Sequence, residues 1–299
     1  MTGDTGEEWA NGRLVEEPAT FDLDGPVEEV QLRLVNGAVN IVGAGGADGV
    51  PGSSGAALEI SEVRGAPLRV TREGTRLVIG YDDVPWQGFL RFFDRGVPER
   101  RAVVSLSVPA TARLNIGVVG APAVISGLAG DTCVRSVSGD VTLIGLAGAV
   151  RAETVSGSLE AESLTGDLRF TTVSGDLTLV GHEGASVRAD SVAGGVLLDL
   201  APVPGPREVR LQSVSGELAV RLPDQPGAVV GAHTAAGSLS SEFEALTAEN
   251  QWGSRRLTGT LGAGAGSVRL STVSGAITLL RRPAGPEETE TAGTLRKDV

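Results

Sequence analysis

Apolar and polar residues alternate in short segments along most of the chain, with the period of two that is typical of β-strands. One unit recurs between residues 136 and 279: Ser or Thr, then Val-Ser-Gly or a close variant, then a short apolar alternation. The first five recurring glycines are 18, 18, 19 and 22 residues apart. A period of this length predicts a repeat architecture in which each repeat stacks on the next. The glycines of this unit are Gly139, Gly157, Gly175, Gly194, Gly216 and Gly275.

A second series lies about half a period away from the first. It consists of Leu128-Ala-Gly130, Leu146-Ala-Gly148 and Leu164-Thr-Gly166, each followed by another apolar alternation. Each coil therefore holds at least two strands. The sequence predicts an all-β fold: a parallel β-solenoid (single-stranded β-helix) with coils of about 18–22 residues and a β-rich N-terminal cap.

The alternation also assigns the faces of each repeat. Val137 and Leu143 share one side with Gly139, and the equivalent Val155 and Val173 of the next repeats are expected to face inward with them. A glycine at each equivalent site predicts a close backbone approach, where a Cβ atom would not fit.

The repeat is least regular near its end. Gly237 is a weaker member of the glycine series, and 38 residues separate it from Gly275. This gap leaves room for one degenerate turn of the repeat near Leu257-Thr-Gly259.

The pattern divides the chain into three parts. Residues 1–20 are an acidic segment, and residues 21–280 are predicted to form the solenoid domain. Within it, residues 21–101 are expected to supply capping strands and residues 102–280 the repeat coils. Residues 281–299, rich in Pro, Gly and Glu, are predicted to be a disordered tail.

These features resemble a bacterial family of β-strand-repeat domains of unknown function that is labelled "putative adhesin". The resemblance covers residues 21–280. It rests on Val35-Asn-Gly37, on Val104-Ser-Leu-Ser-Val-Pro109 followed by Leu114-Asn-Ile116, and on the Val-Ser-Gly units. It implies the same β-repeat fold and, through the label, attachment at a surface. It implies no catalytic residue.

Composition and charge narrow the choice of partner and compartment. Aromatic residues make up only 3% of the chain, so the core must be aliphatic, and the net charge of −12 disfavours nucleic acid as a partner. No stretch has the length of a membrane span, and the first residues lack the pattern of a signal peptide. Cys133 is the single cysteine. We therefore expect a cytoplasmic protein.

The sequence contains little that suggests catalysis. His182, His233 and Cys133 lack the spacing of metal ligands, and both histidines are expected in loop or outward positions. Asp140 and Asp176, two coils apart, could act as a pair of glycosidase carboxylates. Sugar subsites usually use aromatic residues, and Phe170 is the only one between residues 94 and 242. We predict no enzyme activity, no metal and no cofactor.

One segment stands out by its aromatic residues. Helical spacing within residues 84–96 gives an apolar face that could cap the solenoid or contact a partner or a membrane surface. The residues of this candidate surface are Trp86, Phe89, Leu90, Arg91, Phe92 and Phe93.

The interpretation that follows is a rigid, non-enzymatic structural or interaction scaffold, whose partner is an unknown protein or a second copy of the chain. Three alternatives remain at this stage. They are a self-assembling cytoskeletal-type filament of β-solenoid units, a surface adhesin, and a carbohydrate-active β-helix enzyme.

Overall fold

The computed structural model describes residues 12–45, 55–81, 100–251 and 254–283. In these ranges the chain forms β-strands joined by turns, with no helix. The first strands are β1 (Arg13–Val15), β2 (Ala19–Leu23), β3 (Glu29–Leu34), β4 (Asn36–Ala44), β5 (Ala56–Gly65), β6 (Leu68–Glu73), β7 (Arg76–Gly80), β8 (Arg100–Pro109), β9 (Arg113–Val118), β10 (Ala123–Ser126), β11 (Thr132–Ser136), β12 (Val141–Ile144) and β13 (Val150–Thr154). The others are β14 (Leu159–Glu162), β15 (Leu168–Thr172), β16 (Leu177–His182), β17 (Ser186–Ser191), β18 (Val196–Leu200), β19 (Glu208–Gln212), β20 (Leu218–Leu222), β21 (Ala228–Thr234), β22 (Leu239–Ser241), β23 (Thr247–Gln251), β24 (Ser254–Leu261), β25 (Gly266–Thr272) and β26 (Ile277–Arg281).

The strands assemble into two long sheets. Sheet A has 14 strands in the order β1-β6-β7-β3-β9-β11-β13-β15-β17-β19-β25-β21-β24-β23. Sheet B has 12, in the order β2-β5-β8-β4-β10-β12-β14-β16-β18-β20-β26-β22. From β9 to β20 successive strands alternate between the sheets, and neighbours within each sheet are parallel. The predicted all-β fold with long parallel sheets is confirmed, and its topology is solenoid-like.

The strand register follows the repeat period. In sheet A, Thr132 pairs with Val150, which pairs with Leu168, and the column continues to Val187 and Val209. These partners are 18, 18, 19 and 22 residues apart, as the glycines are. Equivalent residues of successive repeats therefore lie side by side, at the strand spacing of about 4.8 Å.

The coils do not follow chain order at the C-terminal end. Strand β26 pairs with β20 on one side and β22 on the other, and β25 likewise lies between β19 and β21. In chain order, the strands β21 and β22 of the outer coil come first. The later strands β25 and β26 lie beneath them, between the outer coil and the rest of the stack. The prediction of a degenerate coil at Leu257–Gly259 is wrong, because these residues belong to β24, which is antiparallel to β21.

The N-terminal end has the same arrangement. Strands β3 and β4 lie between β7 and β8 on one side and β9 and β10 on the other, all parallel. Strand β5 then pairs with β8, and β6 with β7, in the antiparallel direction. Residues 21–101, predicted as a cap, therefore contain strands of the parallel stack as well, and pairing begins before residue 21, at Arg13.

The repeated glycines lie where successive coils approach most closely. A Cβ atom on Gly157 would lie 2.2 Å from the carbonyl oxygen of Gly139, and one on Gly175 would lie 2.0 Å from that of Gly157. The same contact recurs at Gly194, Gly216 and Gly275 at 1.9, 2.0 and 2.0 Å. Each glycine thus lets the next coil pack at strand spacing through a corner of the stack.

The face assignment at this corner needs correction. Val155 is half-buried and Val173 is 49% exposed, although both were predicted to face inward. The residue before the valine, Thr154 or Thr172, is buried in its place. Its hydroxyl has a local use, because the Gly175 N–H donates to Thr172 Oγ1 at 2.9 Å. The hydroxyl satisfies a buried backbone donor where the chain turns between the sheets.

Candidate interaction surface

The segment that the sequence singled out for its aromatic residues lies outside the described residues. Its candidate surface residues are Trp86, Phe89, Leu90, Arg91, Phe92 and Phe93. The candidate surface is therefore built from the two sheet faces, which differ in chemistry.

The outward face of sheet A carries a column of arginines, one from each of five neighbouring coils. Their pairing is direct: each arginine is the register partner of the next across adjacent parallel strands. We call this column the arginine ladder. It consists of Arg151, Arg169, Arg188, Arg210 and Arg269.

Sequence reasoning missed this ladder, although a signal was present. Each arginine stands between two inward apolar residues, as in Val150-Arg-Ala152 and Leu168-Arg-Phe170. All five arginines stand six residues before a repeat glycine, from Gly157 to Gly275. The low share of basic residues in the whole chain hid their alignment on one face.

The ladder brings like charges together with little compensation inside the molecule. Arg188 Nε lies 3.3 Å from Asp190 Oδ2. In the described part of the chain, Arg151, Arg169, Arg210 and Arg269 form no ion pair within 4 Å. Aligned like charges on neighbouring strands repel, although salt screens exposed charges. An anionic ligand would relieve this repulsion.

Columns of mixed character flank the ladder. On one side lie Asp131, Asp167 and Glu208, and on the other lie Glu153 and Asp190. Shallow grooves follow the ladder, one of about 500 Å³ lined by its first three arginines and one of about 310 Å³ beside its last two. Beside the five ladder arginines the flanking positions hold acidic or neutral residues, whereas Arg113 and Arg135 extend the positive charge into the flanking columns before Arg151.

The outward face of sheet B is apolar by comparison. Five aliphatic side chains on it are 38 to 46% exposed. The outward residues beside these side chains are mainly Thr and Ser, and β14 contributes two acids, Glu160 and Glu162. The exposed aliphatic residues are Val42, Val124, Ile144, Val180 and Leu197.

The two aspartates weighed as catalytic carboxylates have backbone partners. Asp140 Oδ1 accepts a hydrogen bond from the Ser158 N–H at 2.9 Å, and Asp176 Oδ1 accepts one from the Gly195 N–H at 2.7 Å. Each exposed carboxylate thus fixes the turn of the next coil. Among the residues that the structure describes, no group of three His, Cys, Asp or Glu side chains could hold a metal ion.

His182 is buried, contrary to the expectation of a loop or outward position. Its side chain is 0% exposed at the end of β16, where a Cβ on Gly184 would touch the ring. Burial, and secondarily the nearby Arg207, lowers the pKa of His182 from 6.5 to about 4, although Asp167 opposes the shift. The imidazole is therefore neutral in the folded protein.

We expect the buried imidazole to make stability depend on pH. As the pH falls below 6.5, His182 becomes protonated in the unfolded chain. In the folded chain it stays neutral until about pH 4. The free energy of unfolding should thus fall by about 3 kcal/mol from pH 7 to pH 4 through this group. Urea unfolding across this range would measure it, with His182→Gln expected to flatten the dependence and His233→Gln, at a half-exposed site, expected to preserve it. Equal slopes in all three proteins would contradict the assignment.

No curated protein matches the sequence. A solved structure from Clostridium sporogenes ATCC 15579, named a putative cell adhesion protein, is similar at 12% identity, with 89% of this chain and 100% of that one covered and a TM-score of 0.27. A second, from Parabacteroides distasonis ATCC 8503 and named a putative lipid binding protein, has 11% identity, coverage of 88% and 97%, and a TM-score of 0.38.

The sequence profile of one domain family matches residues 130–280, which include the ladder and the glycine column. Where the structure describes the chain, it contains no helix long and apolar enough to cross a membrane. The chain belongs to the Toastrack DUF4097 family, a family of domains of unknown function.

Proposed function

We propose that the chain is a non-enzymatic interaction scaffold, a rigid β-solenoid that holds a partner protein on the outward face of sheet A. The arginine ladder carries this proposal. Five arginines are aligned on one face of a chain of net charge −12, and four of them form no ion pair in the described part of the chain. The free thiol of Cys133 is compatible with a reducing cytoplasm, where we place the protein.

The regular pairing of the coils supports a rigid scaffold. Parallel strands on both sheets continue from β9 to β20 without a gap, and the corners add further hydrogen bonds between coils. A surface of this kind keeps its side chains at fixed spacing. A partner then binds without the cost of ordering a mobile loop.

The ends of the stack favour a scaffold over a filament. The four edge strands are short: β1 and β22 have three residues each, and β2 and β23 have five each. Short edge strands offer few free backbone groups, which hinders the addition of another copy.

Site-specific crosslinking in bacterial cells would test which face holds the partner. A photo-reactive residue at Thr171, exposed on sheet A beside Arg169, should give one adduct of defined mass. The same residue at Ile144, exposed on sheet B, should not. The Thr171 adduct should disappear with Arg169→Glu and persist with Arg64→Glu.

Two results would contradict the scaffold proposal. One is the absence of an adduct at both positions. The other is a sedimentation coefficient of the purified protein that grows steadily with concentration, which would favour the filament.

A further inference from the structure

We infer that the arginine ladder is the binding site for an extended acidic polypeptide segment that lies along the stacking axis. This inference rests on the proposed scaffold function and specifies the chemistry of its partner. It follows from the shape of the charged surface, from its flanking groups and from the state of the arginines.

The length of the ladder suits a short extended chain. Five arginines on adjacent strands span roughly 19 Å between the first and last Cα atoms, at about 4.8 Å per coil. An extended polypeptide covers this distance in about six residues, of which alternate side chains face one way. Three acidic residues on that side would each reach one or two guanidinium groups.

The narrowness of the ladder disfavours a broad anionic surface. A bilayer or a nucleic-acid duplex that touched the arginines would also approach Asp131, Asp167 and Glu208 on one side and Glu153 and Asp190 on the other. Like-charge contacts of this kind reduce affinity for the wrong partner. A single chain can lie between the two flanking columns, where it contacts the ladder arginines and avoids these acids.

The flanking groups also favour a ligand that donates hydrogen bonds. Glu153 is paired with Arg135 and Asp190 with Arg188, but a carboxylate can accept further hydrogen bonds. Thr171 and Gln212 stand in the same column. A polypeptide supplies an N–H group at nearly every residue. Inorganic polyphosphate carries negative charge without such donors at neutral pH, so it would meet these acids with repulsion.

The arginines are ready to bind carboxylates. Each guanidinium presents a planar set of donors that matches a carboxylate in a bidentate fashion. In the described residues, four of the five form no ion pair. Binding would therefore relieve the repulsion along the ladder without breaking an internal ion pair at those four positions.

The test is a titration of the full chain with a fluorescent twelve-residue peptide of alternating Glu and Ser, against the same peptide with Gln in place of Glu. The ladder variant combines Arg151→Gln, Arg169→Gln and Arg210→Gln. The control variant removes the same charge at exposed sites elsewhere, with Arg64→Gln, Arg101→Gln and Arg255→Gln. The ladder variant should bind the acidic peptide at least about tenfold more weakly than wild type, and the control variant about as well as wild type. The ladder variant should also melt no lower than wild type, because none of its three arginines forms an ion pair in the described part of the chain.

Several outcomes would overturn the inference. If both variants bound the acidic peptide equally weakly, the effect would come from net charge alone. If the wild type bound the Gln peptide as tightly as the Glu peptide, acidic residues would not be required. Tighter binding of polyphosphate, polygalacturonate or phosphatidylglycerol vesicles would replace the peptide with that ligand. A Thr171 adduct in cells without peptide binding would overturn this inference and keep the scaffold proposal, whereas the loss of both would overturn the two together.

Discussion

Gly194→Ala should destabilise the protein by about 3 kcal/mol or more, because a single added methyl group cannot fit at this corner. Its Cβ would lie 1.9 Å from the carbonyl oxygen of Gly175 and 2.7 Å from the carbonyl carbon. Both atoms belong to the backbone of the adjacent coil, so no side-chain rotation relieves the contact. The coils would have to separate locally, with loss of the hydrogen bonds beside the turn. Urea unfolding followed by circular dichroism would measure the difference.

The next residue provides a matched control. A Cβ on Gly195 would lie 3.5 Å from Asp176 Oδ1 and 3.7 Å from the carbonyl oxygen of Glu217, which are ordinary contacts. Gly195→Ala should therefore change the free energy of unfolding by less than about 1 kcal/mol. Similar losses for the two variants would show that glycine flexibility at the turn matters, and not the close approach of coils.

The repeat made most of the fold predictable. Equivalent residues 18 to 22 apart must pair when the coils stack in parallel, so the glycine period predicted the strand register as well as the sheets. The exact face of Val173 was not predictable from alternation alone. The chain bends between Thr172 and Gly175, and two successive residues, Val173 and Ser174, face outward there. The recurring Ser or Thr three residues before each glycine was the available signal for the buried hydroxyl.

The order of the coils at the two ends was not predictable by the same reasoning. Each coil offers similar backbone edges and aliphatic faces to any neighbour, so the repeat pattern does not distinguish chain order from an inserted coil. The antiparallel pairing of β24 with β21 is likewise not part of the repeat pattern. In the sequence Gly237 comes before Gly275, whereas in the stack Gly275 lies between Gly216 and Gly237.

The candidate site was less predictable than the fold. Alternation showed that Arg151 and Arg169 face outward, but outward arginines are ordinary on a sheet. Their meaning depends on alignment in register and on the absence of ion pairs for most of them in the described part of the chain. The aromatic segment drew attention by composition, and it lies outside the described residues.

Phe170→Ala should destabilise the protein by about 3 to 5 kcal/mol, because it empties the largest filled site in the repeat core. Phe170 is fully buried and is the only aromatic residue between positions 94 and 242. Its register partners in the two adjacent coils are Ala152 and Ala189. The ring therefore occupies space that two small residues leave on either side, and three successive alanines would leave a cavity. Phe170→Leu should cost far less, about 1 kcal/mol.

A second substitution tests whether core side chains of neighbouring coils share the space that Phe170 fills. Ala152→Leu alone should destabilise the protein, because the added side chain meets the Phe170 ring. In the Phe170→Ala background the same change should recover stability by about 1 to 2 kcal/mol, since the leucine fills part of the cavity from the neighbouring coil. A double-mutant cycle of urea unfolding would measure this coupling. If the two changes were additive, each coil would pack its own side chains independently, and the small-large-small column would be a coincidence of composition.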